Sequence, residues 1–250
     1  MRRSEGAFVV EGVKLLASAL AAGAPVEAVF VDDRARSHAE LGAVLDAATS
    51  GGARVFDLAP GVLERVADTV TPQPVLAVVG MPTASLDQLR AATFVVVCVD
   101  VRDPGNAGAV IRVAHAAGAH AVVCCEGTVD PFNPKTVRAS AGSLLHIPVV
   151  VAGDAAEVLD TLSGHGLRRL AAVSSGGTSY TAVDLVAPLA LVLGNEANGL
   201  PARLEDRLEA LVTIPMGGGA ESLNVSTAAA VLCFETARRR SNLHAMEDVR

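Results

Sequence analysis

Short apolar runs, each followed by a helix-like stretch, constrain this chain more than any other feature. Phe94 to Val99, Ala121 to Cys125, Ile147 to Val151, Arg169 to Ser174, Leu189 to Leu193 and Leu211 to Ile214 read as strands. The first is apolar throughout, as a parallel strand covered on both faces is. Helical segments lie between them: Ala107 to Ala117, stopped by Gly118, then Lys135 to Ala141 and Asp154 to Leu162. Strand–helix alternation of this kind predicts an α/β fold with a parallel sheet. Pro201 to Leu208 reads as a helix with Pro in its first turn, and a last helix follows Thr227. Residues Ser241 to Arg250 are expected to fray.

A smaller α/β unit precedes this one. Strands are expected at Phe8–Val10, Val26–Val31, Arg54–Leu58 and Val75–Val79. Helices are expected at Val13–Ala22, His38–Thr49 and Gly61–Ala67. Gly80-Met81-Pro82-Thr83-Ala84-Ser85 is punctuated as a linker is. The chain therefore divides into a domain over residues 1–82, a linker over 83–92 and a second domain over 93–250.

Composition excludes several classes. Half of the 250 residues are apolar, yet there is no Trp, one Tyr and six Phe, so Ala, Val, Leu and Gly must fill the core. Cys98, Cys124, Cys125 and Cys233 sit in apolar runs without zinc-ligand spacing, so they read as buried thiols in a reducing compartment, and no metal site is expected. No apolar run reaches membrane length and the N-terminus lacks a signal-peptide core, so a soluble cytoplasmic protein is expected. The net charge of −7 argues against nucleic acid, although a local patch could override it. Arg2, Arg3, Arg34, Arg36, Arg102, Arg112, Lys135, Arg138 and Arg238 to Arg240 could supply one; for most of these, solvated surface is the simpler reading.

Ligands of parallel α/β sheets bind beyond the carboxyl ends of the strands. Four such ends here are rich in glycine or polar residues: Asp100–Asn106, Ser174–Thr178, Gly194–Gly199 and Pro215–Ser226. The phosphate-loop and dinucleotide glycine patterns are absent, as is the nucleophile elbow of α/β-hydrolases. Asn106 stands where a helix N-cap is wanted. Asn224, Ser226 and Thr227 are credible caps of the last helix. Arg112 lies in an apolar helix, where a charge is expensive unless it meets a partner or a cleft. Glu196 is either a reactive carboxylate or a helix-start residue.

Three segments together resemble the signature motifs of the SpoU/TrmH branch of the SPOUT RNA methyltransferases. They are Asp103-Pro104-Gly105-Asn106 through Arg112, Leu193-Gly194-Asn195-Glu196 through Leu200, and Ile214-Pro215-Met216 through Glu221-Ser222-Leu223-Asn224-Val225-Ser226. The start of the chain, Arg3 to Gly12, is similar to that of the small L30e-like RNA-recognition domain many members carry. The resemblance implies a SPOUT-type sheet with a trefoil knot, a homodimer with active sites near the subunit interface, and no metal. It implies transfer of methyl from S-adenosylmethionine, leaving S-adenosylhomocysteine, to a ribose 2′-hydroxyl. Ribosomal RNA, 23S above all, is preferred over transfer RNA as substrate because the N-terminal domain is present.

By the same resemblance Arg112 acts on the hydroxyl, and Asn106, Glu196, Ser222 and Asn224 are the accompanying polar groups. The cofactor would be held around Gly194, Asn195, Ile214, Met216, Ser222 and Leu223, with Gly217 to Gly219 as inner wall. Arg34 and Arg138 are weaker candidates for RNA contact. The first domain shows no aromatic stacking platform. The alternatives are a transfer-RNA methyltransferase, a non-catalytic RNA-binding protein of the same fold, and a nucleotide-binding metabolic enzyme with another α/β fold.

Overall fold

A computed structural model of the chain describes residues 5–66 and 71–247, with side chains as far as residue 242. The first unit contains β1 (Ala7–Glu11), α1 (Val13–Ala21), β2 (Val26–Val31), α2 (Leu41–Ser50), β3 (Arg54–Asp57), α3 (Leu63–Val66) and β4 (Val75–Gly80). Its four-stranded sheet has the order β1-β4-β2-β3. β4 runs antiparallel to both neighbours, and β3 runs parallel to β2. Apolar alternation gives it one buried face, on which Phe8, Val10, Val29, Val31, Ala77 and Val79 meet α1 and α2.

The second unit contains β5 (Phe94–Cys98), α4 (Pro104–Ala116), β6 (Ala121–Cys124), α5 (Pro134–Ala139), β7 (Val149–Val151), α6 (Ala155–Gly164) and β8 (Arg168–Val173). It continues with β9 (Thr178–Ser179), β10 (Leu189–Leu193), β11 (Ala210–Thr213) and α7 (Val225–Glu247). Its seven strands are all parallel, in the order β7-β6-β5-β10-β8-β11-β9. Every residue of β5, β6 and β10 is buried, because helices cover both faces. α4, α5 and α7 share an apolar cluster with the first unit, whereas α6 packs on the opposite face. Phe8 meets Phe132 across the seam at 5.2 Å between ring centroids, and Ser18 Oγ lies 2.9 Å from His146 Nε2. A parallel sheet puts all its carboxyl ends on one edge, so the loops after β5, β8, β10 and β11 gather there.

Several local expectations are corrected. The helix expected from His38 begins at Leu41, after a separate 3-10 turn over Asp33–Ser37. Residues Pro201–Leu208 hold a 3-10 turn, Ala202–Arg207, not an α-helix. The helix expected over Gly61–Ala67 is described from Leu63 to Val66, and Ala67 lies outside the described residues. The loop after β8 contains β9, which pairs with β11. The last helix does not fray at Ser241 but runs to Glu247; residues 248–250 lie outside the description.

Nor is Arg238–Arg240 a free basic patch. Arg239 donates to the carbonyls of Tyr180, Thr181 and Val183, and Arg240 to those of Thr93, Leu185 and Ala187. Hydrogen bonds from Arg238 and Arg239 hold the Glu235 carboxyl down at about 2. The four cysteines are free and buried. Burial pushes Cys125 and Cys233 up to about 12, and a contact with Cys124 pushes Cys98 well up, so these thiols stay protonated and inert near neutrality.

Close packing of α4 on α5 rests on one glycine. A Cβ on Gly108 would lie 2.5 Å from Ala139 Cβ and 2.6 Å from the Thr136 carbonyl oxygen. Overpacking of this kind costs about 1–3 kcal/mol, so Gly108→Ala is expected to lower the melting temperature by roughly 2–10 °C. Gly42→Ala, in α2 with open space around its Cβ, is expected to raise it slightly. Equal melting temperatures for the two variants by calorimetry would refute this account of the contact.

Candidate active site

Asp103, not Asn106, caps α4. Its carboxylate accepts the Asn106 N–H at 2.8 Å, and Pro104 occupies the first helical position, where a missing N–H costs nothing. The Asn106 side chain is therefore available for other work. Its Nδ2 donates to Glu196 Oε1 at 2.7 Å, and its Oδ1 accepts from Asn224 Nδ2 at 2.8 Å. Asn224 in turn caps α7, with Oδ1 accepting from the Ser226 N–H at 2.9 Å and the Ser226 hydroxyl at 2.6 Å. A carboxylate only accepts, so the direction of every amide follows from Glu196. Flipping either Asn would set acceptor against acceptor.

The β10 loop closes on itself. Asn195 and Gly199 exchange backbone hydrogen bonds at 3.0 and 2.9 Å, and Gly199 takes φ +65°. The Asn195 side chain accepts from the Ala197 and Asn198 N–H groups and donates to the Asp100 carbonyl. Its amide is thus spent inside the protein, shaping the loop and joining it to the end of β5. A Cβ on Gly194 would lie 2.6 Å from the Gly199 carbonyl carbon, so only glycine fits there.

These loops enclose a cleft of about 340 Å³, within the ~300–1,000 Å³ usual for small-ligand sites. Gly194, Asn195, Glu196, Ile214, Met216, Ser222 and Leu223 all line it. Asn106 and Asn224 reach the cleft through Glu196. Gly217 to Gly219 are exposed and are not part of the lining, which corrects the expectation of a glycine inner wall. Sequence reasoning did not single out Ala172, Val173, Val225, Ala228 and Leu232, which complete the walls. As plain apolar residues they carry no motif. Ser174, which also lines it, was marked only by standing at a strand end.

The lining chemistry restricts the ligand. Apolar side chains from β8, β11 and α7 suit a flat ring, and the ionisable groups in the lining are two carboxylates, Glu196 and Glu221. With no basic side chain in that lining, a polyphosphate would be repelled, whereas a cationic ligand would be favoured. Among the described residues no cluster of His, Cys, Asp and Glu is gathered as for a metal ion.

The remaining candidates lie elsewhere. Arg112 is exposed on α4 and makes no ion pair or hydrogen bond among the described residues, so it bears no burial penalty, contrary to the expectation for an apolar helix. Arg34 is engaged by Asp32 at 2.7 Å and Glu64 at 2.8 Å. Arg138 stands at the seam of the two units, 3.4 Å from Glu11. The first sheet does carry an aromatic pair: Phe30 stacks on Phe56 at 5.3 Å, Phe56 is 42% exposed, and Arg54 lies over its ring.

Comparison with known proteins finds relatives along nearly the whole chain. Residues 93–234 match the model of the SpoU rRNA Methylase family, and residues 1–77 match that of an MRM3-like substrate binding domain. The chain is 35% identical over 233 residues to 23S rRNA (guanosine(2553)-2'-O)-methyltransferase RlmP of Bacillus subtilis, covering 93% of this chain and 89% of that protein. It is 31% identical over 247 residues to the 23S rRNA (uridine(2479)-2'-O)-methyltransferase of Streptomyces viridochromogenes, over 96% and 85% of the two chains. The crystal structure of the SpoU methyltransferase AviRb from Streptomyces viridochromogenes, in complex with the cofactor AdoMet, superposes with a TM-score of 0.87 at 30% identity, over 96% and 92% of the chains. An AdoMet-bound rRNA methyltransferase from Sinorhizobium meliloti gives 0.84 at 30% identity, over 95% and 89%.

The Glu196–Asn106–Asn224 chain makes a pH-dependent prediction. Asn106→Asp sets a second carboxylate against Glu196, raising the pKa of the pair in the folded state. Stability is then present below the ordinary carboxylate range and lost as pH rises. The melting temperature of the variant should fall further below wild type at pH 8 than at pH 4.5, by about 1 kcal/mol or a few degrees. An equal gap at both pH values would show that Asn106 does not touch a charged Glu196.

Proposed function

The chain belongs to the SpoU rRNA methylase family, and we propose that it methylates a ribose 2′-hydroxyl of RNA with S-adenosylmethionine, in ribosomal RNA, 23S above all, rather than transfer RNA. One observation carries this reading. Polar groups from three distant segments converge on a cleft whose lining mixes apolar and polar side chains and whose ionisable groups are two carboxylates. That environment suits a sulfonium nucleoside and disfavours NAD or ATP. Structures of relatives hold AdoMet.

S-adenosylmethionine supplies a methyl group already activated by its sulfonium, so the protein's part is positioning. Gly194, Ile214, Met216, Ser222 and Leu223 hold the cofactor, and Asn195 shapes the loop around it. Glu196, fixed by Asn106 and Asn224, faces the ligand's positive charge. Arg112 acts on the RNA: its guanidinium is a poor base, so it polarises the 2′-hydroxyl or fixes a neighbouring phosphate. Arg112 lies outside the cleft lining of a single chain. A homodimer with active sites near its interface would bring the two together. Phe234, 50% exposed on α7, supports that helix as the contact.

The same reading divides the chain into an RNA-binding domain over 1–82, a linker over 83–92 and a methyltransferase domain over 93–250. It places a trefoil knot in the last of these, around α7, and the work in the cytoplasm. No helix among the described residues is long and apolar enough to cross a membrane.

S-adenosylmethionine should bind the purified chain in calorimetry while NAD and ATP do not. Gly194→Ala should weaken that binding at least tenfold, because its Cβ displaces the 194–199 loop. Arg112→Ala should keep cofactor binding and lose transfer to RNA by about 100-fold or more. Light scattering should give twice the mass of one chain. Absence of cofactor binding would sink the reading; full methylation by Arg112→Ala would sink the assigned role.

A further inference from the structure

Arg102 sits between β5 and α4 and is held in an unusual way. Its Nε donates to Asp100 Oδ1 at 2.8 Å, and its side chain is 70% exposed. Among the described residues it makes no other hydrogen bond, which leaves both terminal nitrogens open. Asp100 is a non-glycine residue in the left-handed region, with φ 57°. It is fixed on three sides. Asn195 Nδ2 donates to its carbonyl at 2.9 Å, Arg102 holds its carboxylate, and Gly127 packs so closely that a Cβ there would lie 2.9 Å from Oδ1.

Stability does not account for this arrangement. A left-handed residue costs about 1–2 kcal/mol, toward the lower end for Asp, and an exposed ion pair returns at most about 1 kcal/mol. Strained residues that their surroundings over-determine cluster at functional sites. The result here is an arginine tethered by one nitrogen, with its fork directed outward beside the Glu196 loop.

RNA needs such a group at this place. The cleft's ionisable groups are carboxylates and the chain carries a net −7, while RNA brings a negative charge with each nucleotide. A pre-aimed guanidinium fork grips a phosphate bidentately, where a free side chain would lose entropy on binding.

We propose that Arg102 is a substrate-binding residue gripping an RNA backbone phosphate next to the methylated ribose, and that Asp100 is the positioning residue that aims it. This rests on the methyltransferase reading. It adds a contact separate from Arg112, drawn from a different element.

The test uses the full chain, radiolabelled S-adenosylmethionine and 23S rRNA from cells lacking the gene. Arg102→Ala should raise KM for RNA about tenfold and reduce the slope of log affinity against log salt by about one. Its kcat at saturating RNA should stay within about threefold, and cofactor affinity should be unchanged. Arg102→Lys should recover part of the KM, because a point charge replaces a fork. Asp100→Asn, which tolerates the left-handed backbone, should raise KM severalfold with Arg102 intact. A wild-type KM and salt slope in Arg102→Ala overturns the proposal while leaving the methyltransferase reading in place. A halved mass in that variant also overturns it, by assigning Arg102 to a subunit contact. A wild-type chain that binds no cofactor and transfers no methyl overturns both.

Discussion

Two hydrogen bonds hold this site together. Asn106 lies 90 residues from Glu196 and 118 from Asn224, yet one side-chain amide bonds both. The amide–amide bond adds about 1 kcal/mol net to stability and the one to the carboxylate about 1.5–3 kcal/mol. Their importance is geometric. They join the first turn of α4, the loop after β10 and the cap of α7. The amide is suited to this because it donates from one atom and accepts at the other. A second clamp, from Asn195 to the Asp100 carbonyl, fastens the β10 loop to the end of β5. Strand order makes both possible, since β10 lies between β5 and β8 and its loop emerges between theirs.

The site separates its charges. The cleft lining mixes apolar and polar side chains and carries two carboxylates. Arg102, with its terminal nitrogens open, and Arg112 are exposed on the β5–α4 loop and on α4. Many of the other arginines are paired or turned on carbonyls, so a net charge of −7 says little about where RNA can approach. A mildly acidic protein can bind a polyanion provided that a few guanidinium groups are left open and fixed.

Much of the fold was legible. β5, β6 and β10 are apolar throughout because helices cover both their faces, and such runs are distinctive. The strand-end loops were legible too, being polar or glycine-rich where a sheet ladder no longer needs apolar side chains. What failed to show depended on neighbours distant in sequence. Asn106 resembles a cap, but Asp103 takes that place and frees it. Arg112 looked costly on an apolar helix, yet the buried stripe of α4 is Ala107, Val110, Ile111 and Ala114, which leaves it on the open side. The glycines at 217–219 suggested a wall; only their apolar and polar flanks reach the cleft. The left-handed backbone of Asp100 has no sequence signal, since aspartate is ordinary at a strand end. Arg238 to Arg240 read as a basic string, while two of the three spend their donors on backbone carbonyls.

The walls of the cleft run from Ala172 to Leu232 in the chain, and Arg239 and Arg240 fasten α7 to Val183, Leu185 and Thr93. Domains fold roughly in the order in which they are made. The first unit can therefore form on the ribosome while the cleft still lacks a side. The cleft is not closed until α7 has emerged and been fastened. Synthesis therefore completes the cleft last of all.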